Sequence, residues 1–405
     1  MSVGSAPTGV RRPPQQSHLS VLYVIDSLGA GGSERSLAEL LGPLARDRIS
    51  PVVAVFRRSP QGVERQVMEA GFDVRFLRGD SRLGRIRAVR TLVSSERPHL
   101  VHTTLFESDL AGRVGVAGLG VPVVSSLVNT SYDPVRLRDP NIRATRLRLA
   151  RMVDGWTARH LTAHFHAVTR AVKDAAVRAL RLPAERITVI ERGRDPHRLP
   201  APDPDRRARA RKRFGLSPDD EVLVNVGRQE FQKGQRYLIE AMVELSRIRP
   251  KAVLLIAGRP GAASSNLERM WRETELGDRV RFLGFIEDVP QVLASADVFV
   301  FPSLYEGLPG ALIEAMASGL PVVASEIDVT RDVLEPGRNA ILVPPGSGSH
   351  LAGAVLRLLG ENGMRRAFGS RSRAMFEDQF TLDRSVRRMV AMYRKVVEGT
   401  RGVVT

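Results

Sequence analysis

Glu306 and Glu314 lie in the stretch FPSLYEGLPGALIEAMASGLPVVAS, the first in a Gly/Pro loop and the second in an apolar helical run. At about 100° per residue, a single helix would leave the two carboxylates roughly 80° apart. They converge if Glu306 stays in the loop and only Glu314 rides the helix. A carboxylate then sits beside a helix N-terminus, whose free backbone N–H groups attract phosphate. A ligand with both hydroxyls and phosphates would satisfy every group in the set, and a nucleotide sugar is such a ligand.

Two further segments supply complementary chemistry. In VGRQEFQKGQRYLIEAM, Arg228 and Lys233 can reach a pyrophosphate from one loop, as a bidentate and a point-charge donor. Lys233 stands out because only five of the 61 basic residues are lysine. In SLGAGGSERSLAELL, Gly29, Gly31 and Gly32 permit close backbone approach and Ser33 is placed to cap a helix. A Gly-rich turn alone is a weak signal, since simple turn geometry explains it equally well.

These segments need a scaffold, and the chain repeats one pattern throughout. Short Val/Ile/Leu-rich runs occur at 20–25, 51–56, 73–77, 99–103, 122–127, 165–169 and 187–190, then at 221–226, 252–257, 280–283, 298–301, 322–325 and 340–343. Each is followed by a helical or loop stretch, as in parallel sheets covered on both faces. Prolines and dense charge over 195–220 mark a linker between two such units. Ligands of doubly wound sheets bind beyond the C-terminal strand ends, so two units offer a cleft between them.

The bulk numbers narrow the class. The 405 residues suit two domains, and 43% hydrophobic with 26% charged content is that of a soluble globular protein. Without cysteine there is no disulfide or thiolate metal site, which fits a reducing cytoplasm. The Pro-rich N-terminus does not read as a signal peptide, and no window approaches a membrane span. The net charge is +17, with 31 Lys+Arg against 18 Asp+Glu in residues 1–200. That excess attracts an anionic partner, although an arginine-biased surface would look the same.

With GRQEFQKG (a G-R-x4-K-G pattern) and the Glu306-x7-Glu314 spacing in order, the chain resembles retaining glycosyltransferases of family 4. ITVIERGRD at 187–195 looks like that family's hinge-preceding segment. The resemblance implies the α/β GT-B fold, two doubly wound Rossmann-like domains facing across a cleft. It gives a disordered tail over 1–18, an acceptor-binding domain over 19–198 and a nucleotide-sugar-binding domain over 199–380. A last helix within 381–405 would pack at the domain junction.

The implied activity is transfer of a hexosyl group, with retained configuration, from a UDP- or GDP-linked donor. The acceptor would be a sugar or lipid-linked molecule, in cell-envelope polysaccharide, glycolipid or secondary-metabolite glycosylation. The resemblance assigns the diphosphate to Arg228 and Lys233, the ribose hydroxyls to Glu314 and the transferred sugar to Glu306. It places Gly310 and Ala311 amides against the distal phosphate, Gly32 across the cleft and Ile286, with Phe285, near the base. It implies no cofactor and no metal, the cations and helix dipole acting instead.

One segment departs from the pattern. In VPVVSSLVNTSYDP the family often carries a histidine near the reacting carbon, whereas this chain has Val128 and Asn129. Asn129 can still hydrogen-bond the sugar or leaving group, and the leaving phosphate can accept the acceptor's proton. His102 is the other candidate, with a satisfied strand-end histidine as the plain alternative. His160, His164 and His166 suggest a metal, but no carboxylate lies among them and packing accounts for them better. The basic run holds Arg136, Arg138, Arg143, Arg146, Arg148 and Arg151, of which Arg143, Arg146 and Arg151 with Leu147 and Leu149 give a partly amphipathic helix suited to an anionic membrane surface.

Two other classes compete with transfer. A nucleotide-sugar epimerase would share the fold without this motif combination. A non-catalytic protein would bind a nucleotide sugar or anionic lipid on the same fold. Nucleic acid is disfavoured, because aromatics make up only 5% of the chain and do not interleave with the arginines.

Overall fold

The computed structural model describes residues 18–401. The tail expected over 1–18 lies outside the described residues apart from His18. Seven strands form the first sheet: β1 (Leu19–Ser27), β2 (Ile49–Arg57), β3 (Asp73–Phe76), β4 (Leu100–Thr104), β5 (Val123–Leu127), β6 (His164–Ala167) and β7 (Ile187–Val189). Six form the second: β8 (Glu221–Val226), β9 (Ala252–Ala257), β10 (Val280–Gly284), β11 (Val298–Phe301), β12 (Val322–Ser325) and β13 (Ala340–Val343). Each apolar run read from the sequence corresponds to one of these strands, with ends shifted by a residue or two.

Pairing is parallel throughout, in the orders β3-β2-β1-β4-β5-β6-β7 and β10-β9-β8-β11-β12-β13. The central strands explain the unbroken hydrophobic runs. Every residue of β9, β11 and β12 is buried, because helices cover both sheet faces. Strand order reverses between β1 and β4 and between β8 and β11, the switch points where parallel sheets open a crevice. The Gly-rich loop follows β1, the Arg228/Lys233 loop follows β8 and the Glu306 loop follows β11. Topology therefore brings the candidate segments to corresponding edges of the two sheets.

The linker is more structured than its composition suggests. Asp203 caps a helix, Pro204–Arg213, by accepting from the amides of Asp205 and Arg206. Arg207 and Arg211 from this helix then hold Asp297, at 2.7 and 2.8 Å, against the second sheet. The last helix, Leu382–Arg401, returns to the first sheet. Its Val386, Met389, Val390, Tyr393 and Val397 recur at helical spacing and join Leu37, Leu41 and Leu44 in one buried cluster. Arg194 anchors its start, donating its amide to the Phe380 carbonyl while its own carbonyl accepts from Leu382 N.

Candidate active site

Between the sheets lies a cleft of roughly 1160 Å³. Its walls include Gly32 and Asn129 from the first half and Arg228, Lys233, Ile286, Glu306, Gly310, Ala311 and Glu314 from the second. These nine residues, named as site candidates from the sequence, thus meet one cavity, although Gly32 and Glu314 are far apart in the chain.

Backbone geometry sets the second wall. Gly234 adopts φ +61°, and a Cβ there would come within 2.1 Å of the Pro302 carbonyl oxygen. Only glycine lets the Lys233 turn lie against the Glu306 loop. Lys233 then donates from Nζ to Glu306 Oε1 at 2.5 Å. Glu306 is 6% exposed, and its loop ends at Pro309, where the helix Gly310–Ala317 begins without a side-chain cap. Glu306 is therefore on the loop and Glu314 on the helix, the arrangement that their spacing requires. Arg228 is mostly exposed at the cleft, 3.3 Å from Glu230.

Glu314 has a partner that spacing does not suggest. Arg194 Nε donates to its Oε1 at 2.8 Å, and Arg194 Nη1 reaches Glu39 Oε2 at 3.2 Å on the helix Gly32–Arg46. One buried guanidinium thus ties the two halves together. Burial opposes its charge, but Glu314 and Glu39 outweigh this and hold its pKa above the ordinary value. Its Nη2 lies where a Cβ on Gly310 would approach to 2.0 Å, so a side chain there would displace the guanidinium.

On the first wall Ser33 departs from expectation, Asn129 lines the cleft and His102 turns away from it. The helix after β1 starts at Gly32 behind an N-cap Gly31, so Ser33 is inside it and makes no cap. Asn129 Oδ1 accepts from the Thr130 amide at 2.8 Å, stabilising its own turn. His102 faces inward from β4 and does not line the cleft, because strand alternation turns it towards the final helix.

His102 belongs to a buried chain of hydrogen bonds. His166 Nε2 lies 2.9 Å from the Ile190 carbonyl, which can only accept, so this nitrogen carries the proton. His166 Nδ1 then accepts from Ser126, Ser126 accepts from His102 Nε2, and His102 Nδ1 accepts from Tyr393. Tyr393 in turn accepts from Tyr23 at 3.0 Å. Both rings are neutral in this direction. Burial pushes the His102 pKa down to about 3 and that of His166 to about 4. Among the described residues no group of histidine, aspartate and glutamate is placed to hold a metal.

The basic run also needs correction. Leu147 lines the cleft while Leu149 faces out, so they do not share a face. On the helix Ala144–Leu161 the exposed apolar stripe is Leu149, Met152 and Trp156. Arg136, from the basic run ahead of this helix, has its guanidinium 5.7 Å from the Tyr305 ring centroid.

Comparison with known proteins assigns the chain. Residues 206–375 match the profile described as glycosyl transferases group 1, and residues 31–193 match a glycosyl transferase 4-like domain. An alpha-D-kanosaminyltransferase of Streptomyces kanamyceticus is 30% identical over 69% of this chain and 72% of its own length. The chain belongs to the group 1 glycosyl transferases. This transferase is also 29% identical to an Escherichia coli UDP-Gal:alpha-D-GlcNAc-diphosphoundecaprenol alpha-1,3-galactosyltransferase, over 58% of this chain and 60% of that one. Its fold matches Anabaena HepE, solved with UDP and glucose, at a TM-score of 0.81 and 22% identity over 93% of this chain and 99% of that one. The two sheets of the transferase are thus the centres of the two Rossmann-like units of a GT-B fold.

Two arginines of the site, Arg192 and Arg194, escaped assignment from sequence, as did Glu39. The signal available was ERGRD itself, which places two arginines two residues apart beside the linker.

Proposed function

We propose that this transferase moves a hexosyl group from a UDP- or GDP-linked donor to a hydroxyl acceptor with retention of anomeric configuration. The observation that carries this reading is the Lys233–Glu306 pair at 2.5 Å, set between the exposed Arg228 and the Glu314 helix in one cleft. An ammonium has three N–H donors, so Lys233 can keep Glu306 and still meet a phosphate oxygen. Glu306, with lone pairs to spare, accepts from hydroxyls of the transferred sugar. Glu314 accepts from the ribose while Arg194 fixes its orientation.

In the reaction the bond between the sugar's anomeric carbon and the phosphate oxygen breaks, and the acceptor oxygen bonds to that carbon on the same face. The departing diphosphate gains negative charge, which Arg228 and Lys233 stabilise along with the amides at the start of the Gly310 helix. With Val128 and Asn129 opposite, the leaving phosphate oxygen receives the acceptor's proton. These cations do the work of a metal, so the reaction is metal-independent. HepE, whose structure holds UDP and glucose, supports the choice of a nucleotide-sugar donor.

The acceptor side is taken to be a sugar or lipid-linked molecule. The E. coli relative acts on a diphosphoundecaprenol-linked sugar by its name. Exposed Leu149, Met152 and Trp156 beside Arg148 and Arg151 support peripheral contact with an anionic membrane. The deciding experiment incubates purified protein with UDP- and GDP-sugars, with and without EDTA, and follows nucleoside diphosphate release and product stereochemistry. Release from one donor, unaffected by chelation and giving a retained linkage, is expected. No release from any donor with any acceptor would leave a binding protein instead.

A further inference from the structure

Arg192 lies just past β7 and reaches the cleft wall at the Gly32 loop. Its Nη1 sits where a Cβ on Gly32 would approach to 3.1 Å. Its Nε is buried and has no hydrogen-bond partner, and among the described residues its guanidinium forms no ion pair within 4.0 Å.

The neighbouring carboxylates are committed elsewhere. Glu39 and Glu314 share Arg194, and Glu306 holds Lys233. Glu34 folds back over Gly31, where its Oε2 would meet an added Cβ at 2.4 Å. All four act on Arg192 through space only. Burial, with help from Arg194, pushes its pKa down to about 10, so it remains a cation at neutral pH.

A partly buried guanidinium without a partner costs stability and returns nothing to the fold. It also lines both the main cleft and the small adjoining cavity beside Tyr393. The planar N–H fork matches oxyanion geometry, and the open space beside it is where reactants must pass.

We propose that Arg192 is an oxyanion-binding residue, receiving a phosphate or carboxylate oxygen of a bound reactant against the Gly32 loop, across the cleft from Lys233 and Arg228. The anion belongs either to the donor diphosphate or to an acidic group on the acceptor. Only the naming of that bearer rests on the transfer reading above.

Calorimetry on wild type, Arg192→Gln and Arg192→Lys, with inorganic phosphate, UDP, GDP, UMP and GMP, tests it. Arg192→Gln is expected to weaken phosphate or diphosphate binding tenfold or more, with Arg192→Lys intermediate. A loss for the diphosphate but not the monophosphate assigns the donor. Unchanged diphosphate binding, with phosphate no longer bound by nucleotide-saturated protein, assigns an acidic acceptor. Removing an unpaired cation should leave Tm equal or higher, whereas a structural arginine would lower it. Equal binding of every probe by wild type and Arg192→Gln overturns the proposal, as does a wild type that binds neither phosphate nor diphosphate. If nucleotides fail to bind but phosphate does, the transfer reading falls while the phosphate comparison still decides Arg192.

Discussion

Lys233 and Glu306 stand 73 residues apart in sequence, yet their Nζ and Oε1 atoms are 2.5 Å apart at the base of the cleft. The contact depends on the left-handed turn at Gly234, so a short loop sets the position of a charge. Lys233→Ala removes the cation proposed to meet the leaving group and takes the Lys233 partner from a carboxylate that is 6% exposed. Turnover should fall on the order of 10²-fold. Steady-state kinetics on the true donor check this, and an unchanged kcat would remove Lys233 from the chemistry.

Glu306→Ala and Glu314→Ala should separate in kinetics. Losing Glu306 is expected to lower kcat mainly, because its proposed contact is with the transferred sugar. Losing Glu314 should raise the donor KM about tenfold or more, the scale of hydrogen bonds to a charged group. Wild-type constants for both variants would mean the carboxylates were assigned wrongly.

Arg194→Met addresses the tie between the halves. It strands Glu314 and Glu39, which are 15% and 23% exposed at the side chain. Urea denaturation should show a loss of roughly 3 kcal/mol, the scale for breaking a buried pair from one side. Donor KM should rise too, since Glu314 loses the group that orients it.

The neutral histidine chain predicts acid sensitivity. His102 and His166 have folded pKa values near 3 and 4 against 6.5 when unfolded. The unfolded chain therefore binds more protons between those limits, so stability is complete above about pH 6.5 and falls as pH drops. Asp109 works in the opposite sense, since burial raises it from 3.8 to about 6 and its cost grows over that range. Its shift is smaller than the two histidine shifts together, so the histidines dominate. Thermal unfolding between pH 7 and 4 should show declining Tm, and Tyr393→Phe should shift the curve by removing the donor to His102.

Replacing Leu149, Met152 and Trp156 with serine should abolish flotation with anionic liposomes while leaving Tm unchanged, because these side chains are exposed. Equal flotation of the triple variant would show that the stripe does not touch lipid.

The strands were readable because continuous Val/Ile/Leu runs such as AVLLIA leave little alternative to a parallel sheet buried on both faces. The Glu306–Glu314 spacing was readable for a similar reason, since it had to bridge a loop and a helix. Arg194–Glu314 was not, because a pair separated by 120 residues depends on how the sheets face each other. Leu147 and Leu149 misled for a local reason: residues two apart on a helix point in different directions. Ser33 was likewise misplaced by two positions, since Gly31 already occupies the cap.

Tyr23 and Tyr393 are 370 residues apart, and their hydroxyls meet inside the first sheet's core. At about 5–20 residues per second, a ribosome needs roughly 20–70 s to make the chain between them. For that interval the nascent first half carries an open apolar groove, lined by Leu37, Leu41 and Leu44, with nothing yet made to fill it. The unit synthesised first is therefore completed last, and a premature stop before residue 382 would spoil the half of the molecule farthest from it in sequence.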